Sequence, residues 1–295
     1  MDDLDSRSAQ TQTVAVLGLG AMGSRLAVRL AAGGFRVIAW NRSPVELRDA
    51  SIRRASSPRD AAARADIVLA MLTDDEASAA VWLGADGALA GLRPGTVAVE
   101  ASTLTPAWVL RLSDRIRAAG AALLEAPVVG SRPQAEAGQL ISLAAGDRAV
   151  FEGCSPMLDT YSSRTFYLGE AGQAAAAKLA VNTFFATQVA AAAETIHFLR
   201  SSGVEDERWL DLFTNLPVVP PPIAGAMAAM AANQFAPQFP IAVVDKDLRY
   251  FSTTADARNA EHPLASAVRG LFSQALEQNL GQDNITGVAQ VYGGS

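Results

Sequence analysis

Lys178 and Asn182 are the residues of this chain best spaced for proton chemistry. They lie four apart in the stretch Gln173–Arg200, where Lys178 and Glu194 are the only charges before Arg200. In a helix, positions i and i+4 share a face, so the ammonium and the amide project together. A lysine in apolar surroundings loses hydration, its pKa falls towards neutrality, and it becomes suited to giving and taking protons. The same pattern fits a lysine that reaches solvent along its own stem or pairs structurally, and the residues alone do not choose between the two.

A second constellation lies near the start. VAVLGLGAMGSRLAVRL is an apolar run, a glycine-rich turn and an amphipathic helix, with Gly18, Gly20 and Gly23 spaced as GxGxxG. In that context the motif marks a dinucleotide site. Gly18 permits the tight turn, Gly20 lets backbone approach a pyrophosphate, and Gly23 allows close helix–strand packing. Leu19, Ala21 and Met22 complete the turn, and the helix N-terminus faces the phosphate charge. The next apolar run ends in RVIAWNRSP. An NAD enzyme commonly carries a carboxylate there for the ribose 2′-hydroxyl. This chain has Asn41, Arg42 and Ser43, and a guanidinium can pair with a 2′-phosphate. NADP is therefore expected over NAD. An arginine solvated on a surface loop is the plainer alternative.

The elements that must position these residues follow from the apolar pattern. Between residues 13 and 169 the runs VAVLGLG, RVIAWN, DIVLAML, TVAVEAS, ALLEAPVV, QLISLAAG and RTFYLG alternate with helical patterns. Short β-forming runs separated by helices predict βαβ units and a mainly parallel sheet. From Gly169–Gly172 onward only helical signals remain: one long helix from Gln173 to Arg200, closed by Gly203, then helices over 205–214, 223–233, 241–257 and 263–280. The expected architecture is an α/β Rossmann domain over 12–170, preceded by a disordered tail over 1–11. An all-helical substrate and dimerisation domain over 171–295 follows, joined by the long helix. A helix so short of charge should be buried on most sides, between domains or between subunits. A homodimer or larger homo-oligomer is expected.

The 295 residues suit two domains, half of them are hydrophobic, and the formal net charge is −6. No basic block stands out, so nucleic acid is not an expected partner. The acidic start MDDLDSRSAQTQT lacks the form of a signal peptide. The most apolar long stretch, LAVNTFFATQVAAAA, is short for a membrane span and holds four polar residues. One cysteine, Cys154, fits a reducing cytoplasm. It has no base beside it in sequence and reads as a packed or surface thiol. His197 and His262 are the only histidines and form no ligand cluster, so no metal site is expected. His197 reads as packed or placed at the helix dipole. Asp74 and Asp75 read as a helix start.

Five segments in order resemble the β-hydroxyacid dehydrogenase family: VAVLGLGAMGSRLA, VEASTLTP, LEAPVVGSRPQAEAGQLISLAAGD, GEAGQAAAAKLAVN and VVDKDLRYF. The family includes 3-hydroxyisobutyrate dehydrogenase, tartronate semialdehyde reductase and the glyoxylate/succinic semialdehyde reductases, and the third segment is most similar to the last of these. The likeness runs from Thr13 to Tyr292 and implies a helical domain of the 6-phosphogluconate dehydrogenase type. It implies Lys178 as catalytic acid/base, protonating a carbonyl oxygen as hydride arrives, and Asn182 as a substrate holder. It sets Ser102 and Thr103 beside the nicotinamide ribose and substrate, Met71 and Leu72 along the cofactor cleft, and Lys246 closing over the cofactor. The implied substrate is a small aldehyde or keto acid.

One position departs. The family commonly has a serine that helps hold the substrate carboxylate where this chain has Val129, which cannot donate a hydrogen bond. The N–H groups of Gly130 and Ser131 and the Ser131 hydroxyl are the remaining donors there. The departure admits a larger, more apolar or non-carboxylate substrate. It also keeps open an imine reductase, a reading that Lys178 opposes. A cofactor-binding protein without turnover is the third reading.

Overall fold

The computed structural model describes residues 12–47 and 49–293. The tail expected over 1–11 lies outside the described residues. In chain order the elements are β1 (Thr13–Leu17), α1 (Gly23–Ala32), β2 (Arg36–Trp40), β3 (Arg53–Arg54), α2 (Pro58–Ala63), β4 (Ile67–Ala70), α3 (Asp75–Leu83), β5 (Val97–Glu100), α4 (Pro106–Ala118) and β6 (Ala122–Glu125). There follow β7 (Val128–Val129), α5 (Arg132–Ala137), β8 (Leu140–Gly146), α6 (Arg148–Leu158) and β9 (Ser162–Tyr167). The remainder is helical: α7 (Gln173–Ser201), α8 (Asp206–Thr214), α9 (Pro221–Ala231), α10 (Ile241–Asp256) and α11 (Pro263–Glu277). The chain divides into two compact units that meet inside α7, the first ending at Lys178 and the second opening at Leu179.

In the first unit the strands run β3-β2-β1-β4-β5-β6, all parallel, and then β8 and β7, with β9 also paired to β8. The parallel part has the doubly wound nucleotide-binding order. Alternate residues of a strand face opposite sides of a sheet, and here both sides are apolar. Val14, Val16, Leu69, Val99 and Leu124 pack with Leu26 and Leu30 of α1 on one side. Ala15, Leu17, Val68, Ala98 and Leu123 pack with Trp82, Leu112 and Ile116 on the other. Helices on both faces explain why the strand sequences read as unbroken apolar runs.

All seven expected strand runs are strands, with two differences. ALLEAPVV is two strands, because Pro127 has no N–H to continue the ladder. After the break, β7 joins β8 antiparallel, Val129 opposite Ile141. The edge pair Arg53–Arg54 was not expected. Both residues are exposed and polar, so no hydrophobic pattern marks them. The second unit, by itself, closes around Val189, Ala193, Ile196, Trp209, Met227, Ile241, Leu248 and Phe272. No helix among the described residues is long and apolar enough to cross a membrane.

The turn after β1 is the tightest point of the sheet. A Cβ on Gly23 would stand 1.9 Å from the Gly18 carbonyl oxygen, a backbone atom with nowhere to go, whereas a Cβ on Gly20 meets nothing within 4 Å. Gly23→Ala is therefore expected to lose about 1–3 kcal/mol, lowering Tm by roughly 2–12 °C. Gly20→Ala should leave Tm unchanged. Thermal unfolding of both variants checks this, and equal losses would contradict it.

Candidate active site

In the first unit, the C-terminal ends of the parallel strands carry nearly every residue singled out above, which is where ligands bind in open α/β sheets. Gly18 holds φ +95°, and a Cβ there would lie 2.3 Å from the Met71 carbonyl oxygen. Its N–H donates to Trp40 O at 2.9 Å. The Leu19 N–H donates to Asn41 Oδ1 at 2.8 Å, and Asn41 Nδ2 donates to Ser43 O at 2.9 Å. Asn41 thus ties the end of β2 to the glycine turn. Arg42 and Ser43 beside it are exposed. α1 starts at Met22 without a side-chain cap and without an acidic residue in its first turn. An α-helix N-terminus left so is electropositive and suited to a phosphate. Together with the open space at Gly20, these residues fit the diphosphate of a nicotinamide dinucleotide.

The ends of β4 and β5 are joined by a buried carboxylate. Glu100 is 1% exposed. It accepts from Ser78 Oγ and Trp82 Nε1, each at 2.9 Å, from Ser102 Oγ at 2.5 Å and from Ser102 N at 3.2 Å. Burial pushes its carboxyl above the usual range, opposed by these four donors. Ser102 Oγ in turn accepts from Leu72 N at 2.7 Å. The Ser102 hydroxyl therefore spends its proton on Glu100 and braces the loop that carries Met71 and Leu72. Asp74 caps α3 through Ala77 N at 2.7 Å, as its position suggested. Asp75 accepts from Thr105 N at 2.9 Å and Thr105 Oγ1 at 2.6 Å, holding the loop of Ser102 and Thr103.

Val129 is half-buried against the cluster of Leu143, Ala145 and Ala174. The Ser131 N–H, one of the remaining donors at this position, donates a hydrogen bond to Gln134 Oε1 at 3.0 Å. Gly130 between them holds φ +124°.

The first turn of α7 is fixed by a second buried carboxylate. Glu125, at the end of β6 and 1% exposed, accepts from Gly172 N and from Ala175 N, the latter at 2.8 Å. Burial raises its pKa to about 7, the two N–H groups oppose the rise, and the charge of Glu100 adds to it. Lys178 follows three residues after Ala175 and is 8% exposed.

In the second unit, Asn182 Nδ2 donates to Asp247 Oδ2 at 2.6 Å, and Lys246 Nζ pairs with Asp247 Oδ1 at 2.8 Å. Lys246 also lies over the Tyr250 ring, 4.8 Å from its centre. Asp247, 1% exposed, thus links two residues named from the sequence. Glu100, Glu125 and Asp247 were not singled out there. Their signal was present in VEAS, LEAP and DKDL: an acid closing an apolar strand, or set inside a helix beside a lysine.

The remaining candidates make ring contacts or lie in the core. His197 stacks on Tyr292 at 5.2 Å, and His262 meets Phe251 edge-on at 6.3 Å. Cys154 is buried, and burial lifts its thiol to about 11. Among the described residues no three His, Cys, Asp or Glu side chains gather as a metal site.

Comparison with known proteins agrees with this geometry. Residues 13–169 match the family described as the NAD binding domain of 6-phosphogluconate dehydrogenase. Residues 172–292 match the family described as NAD-binding of NADP-dependent 3-hydroxyisobutyrate dehydrogenase. The chain is 32% identical to glyoxylate/succinic semialdehyde reductase 2, chloroplastic, of Arabidopsis thaliana, over 95% of this chain and 79% of that one. It is 31% identical to the Mus musculus cytokine-like nuclear factor N-PAC, over 95% of this chain and 50% of that one. The solved 3-hydroxyisobutyrate dehydrogenase of Mycobacterium tuberculosis with L-serine superposes with a TM-score of 0.81 at 25% identity, covering 95% of this chain and 99% of that one. Fold, site and relatives define an NAD(P)-dependent oxidoreductase acting on CH–OH groups. The chain belongs to the β-hydroxyacid dehydrogenase family.

The buried carboxylates leave a mark on stability. For Glu125 the folded-state pKa lies above its ordinary 4.5, at about 7. The folded state then binds more protons than the unfolded state across that interval, so stability falls as pH rises through it. Glu125→Gln, which cannot ionise, should flatten the decline between about pH 4.5 and 7. Urea midpoints of both proteins at several pH values measure this, and parallel curves would contradict it.

Proposed function

We propose that the chain is an NADPH-preferring reductase that interconverts a small aldehyde or keto acid and its hydroxy acid, with Lys178 as the acid/base. The observation that carries the reading is the buried Lys178, one turn before Asn182 on a helix whose first turn is held from β6. The turn of Gly18, Leu19, Gly20, Ala21, Met22 and Gly23 would hold the dinucleotide's diphosphate. Asn41, Arg42 and Ser43 would meet its 2′-phosphate, and Met71, Leu72, Thr103 and Lys246 its nicotinamide half. When bound, NADPH supplies the hydride. The protein's part is the proton: Lys178 Nζ gives it to the carbonyl oxygen as charge develops there, or takes it from the hydroxyl in reverse. The residues proposed to meet the substrate are Ser102, Val129, Gly130 and Ser131 of the first unit and Asn182 of the second. The likeness to a glyoxylate/succinic semialdehyde reductase makes glyoxylate and succinic semialdehyde the first substrates to try. The Val129 side chain, which offers no hydrogen bond, admits a larger or more apolar substrate.

A homodimer belongs to the same reading. On α7 the exposed side chains Val181, Phe184 and Phe198 lie on one stripe, Phe184 and Phe198 at 69% and 67% exposure, a surface suited to a second copy. A cytoplasmic location rests on the single buried cysteine. The second reading is a protein that binds the cofactor without turning it over; one relative matched over 95% of this chain is named as a nuclear factor and not as an enzyme.

NADPH oxidation with glyoxylate, succinic semialdehyde, tartronate semialdehyde and a cyclic imine separates these readings. Turnover of the oxo compounds is expected. Turnover of the imine alone would make the chain an imine reductase, and NADPH binding with no turnover would support the second reading. Lys178→Ala should lower kcat by about 10²–10⁴-fold, the usual worth of general acid catalysis, with NADPH affinity unchanged. Lys178→Arg should not restore it, because guanidinium stays protonated and is shaped differently. A kcat within about threefold of the parent, far below that range, would make the lysine structural. Arg42→Ala should weaken NADPH binding much more than NADH binding, read from kcat/KM with each cofactor. Equal losses would refute the NADP preference.

A further inference from the structure

An α-helix leaves its first N–H groups without partners inside the helix, and a side chain just before it usually supplies the acceptor. At the start of α7 the Glu170 carbonyl accepts from Gln173 N at 3.2 Å, and the Gly172 and Ala175 N–H groups go to β6, to the Glu125 carboxylate. One carboxylate takes two N–H groups, from Gly172 and Ala175, so it constrains both the advance of the helix and its rotation about its axis. The residues that follow inherit this setting. Lys178 is three positions beyond Ala175, about 4.5 Å further along the axis at the ordinary rise, still within the first compact unit. The strand below is equally fixed: Glu125 pairs in register with Glu100 of β5 and with Ala145 of β8.

We infer that Glu125 is a positioning residue for the reaction, setting the Lys178 ammonium through the first turn of α7. The inference rests on the assignment of Lys178 as the acid/base. Glu125 does not touch the reacting atoms. It acts by holding the start of the helix through the Gly172 and Ala175 N–H groups, and it ties the proton donor to the same sheet whose strand ends carry the glycine turn. Each carboxyl oxygen takes one N–H at the start of the helix, so an amide, with a single acceptor oxygen, or a shorter replacement keeps the fold and loosens the setting.

The test is a cycle of four proteins: the parent, Glu125→Gln, Lys178→Ala and the double variant, each assayed for kcat, for KM of the aldehyde turned over fastest, and for NADPH affinity. Displacing a catalytic group by about 1 Å costs about 100-fold, so Glu125→Gln is expected to lower kcat by about 10- to 100-fold with NADPH affinity unchanged. In the Lys178→Ala background it should lower kcat no further, because there is no ammonium left to misplace. A purely structural role would instead lower kcat by the same factor in both backgrounds, and would overturn the inference. Glu125→Asp, which keeps the charge on a shorter stem, gives a second arm should Glu125→Gln fold poorly. It should lose kcat in the parent background alone, and an unimpaired Glu125→Asp would count against the inference. If Lys178→Ala keeps the parent kcat, the assignment of Lys178 falls and takes this inference with it. A slow Lys178→Ala beside an unimpaired Glu125→Gln overturns the inference alone.

Discussion

A carboxylate taken out of water is costly unless donors surround it, and in this protein that constraint falls on Glu125. Its two acceptor contacts are the N–H groups at the start of α7. Neither partner is satisfied without the other: the helix end would lack acceptors, and the carboxylate would lack donors. The end of β6 and the start of the helix that carries Lys178 therefore form as one unit. Glu100, its parallel neighbour in register on β5, meets the same demand with two indole and hydroxyl donors from α3 and a serine from its own loop. Two acids closing adjacent strands thus organise the loops along one edge of the sheet.

The glycine turn is governed by steric limits where the carboxylates are governed by electrostatics. At Gly18 and Gly23 the backbone itself fills the space a side chain would need, so the sheet and α1 approach as closely as the chain allows. At Gly20 the protein makes no such demand. A glycine unexplained by internal packing, beside a helix start without a side-chain cap, leaves room for an outside group. Asn41 fits the same pattern. A neutral amide there orders the turn through Leu19 N and leaves the neighbouring Arg42 without a carboxylate beside it in sequence.

Much of this was legible in the residues. The alternating strands and helices, the long helix and the glycine turn each follow from local patterns, because apolar periodicity, Gly and Pro act over a few positions. The break in ALLEAPVV was marked by Pro127, yet the antiparallel return of β8 depends on long-range pairing that no local pattern encodes. Arg53–Arg54 carries no apolar signal at all. The site was legible in its parts. Lys178, Asn182 and Ser102 stand out by type and motif, while Glu125 and Asp247 are charges in LEAP and DKDL with no spacing that marks them. Their importance lies in what meets them from 47 to 65 residues away, and only the fold supplies those partners. Ser102 shows a further side of this: the resemblance sets it beside the nicotinamide ribose and substrate, while the hydrogen bond its hydroxyl donates to Glu100 is visible only in the fold.

The coupling between Glu125 and α7 can be observed directly in the folded protein. With glutamate labelled at the side-chain carboxyl carbon and backbone amides labelled with nitrogen-15, an NMR titration follows both partners at once. The account predicts that the Glu125 carboxyl titrates near its raised value of about 7, and that the Gly172 and Ala175 amide signals move with the same midpoint. A carboxyl that titrates in the ordinary range while those two amides stay still would contradict it.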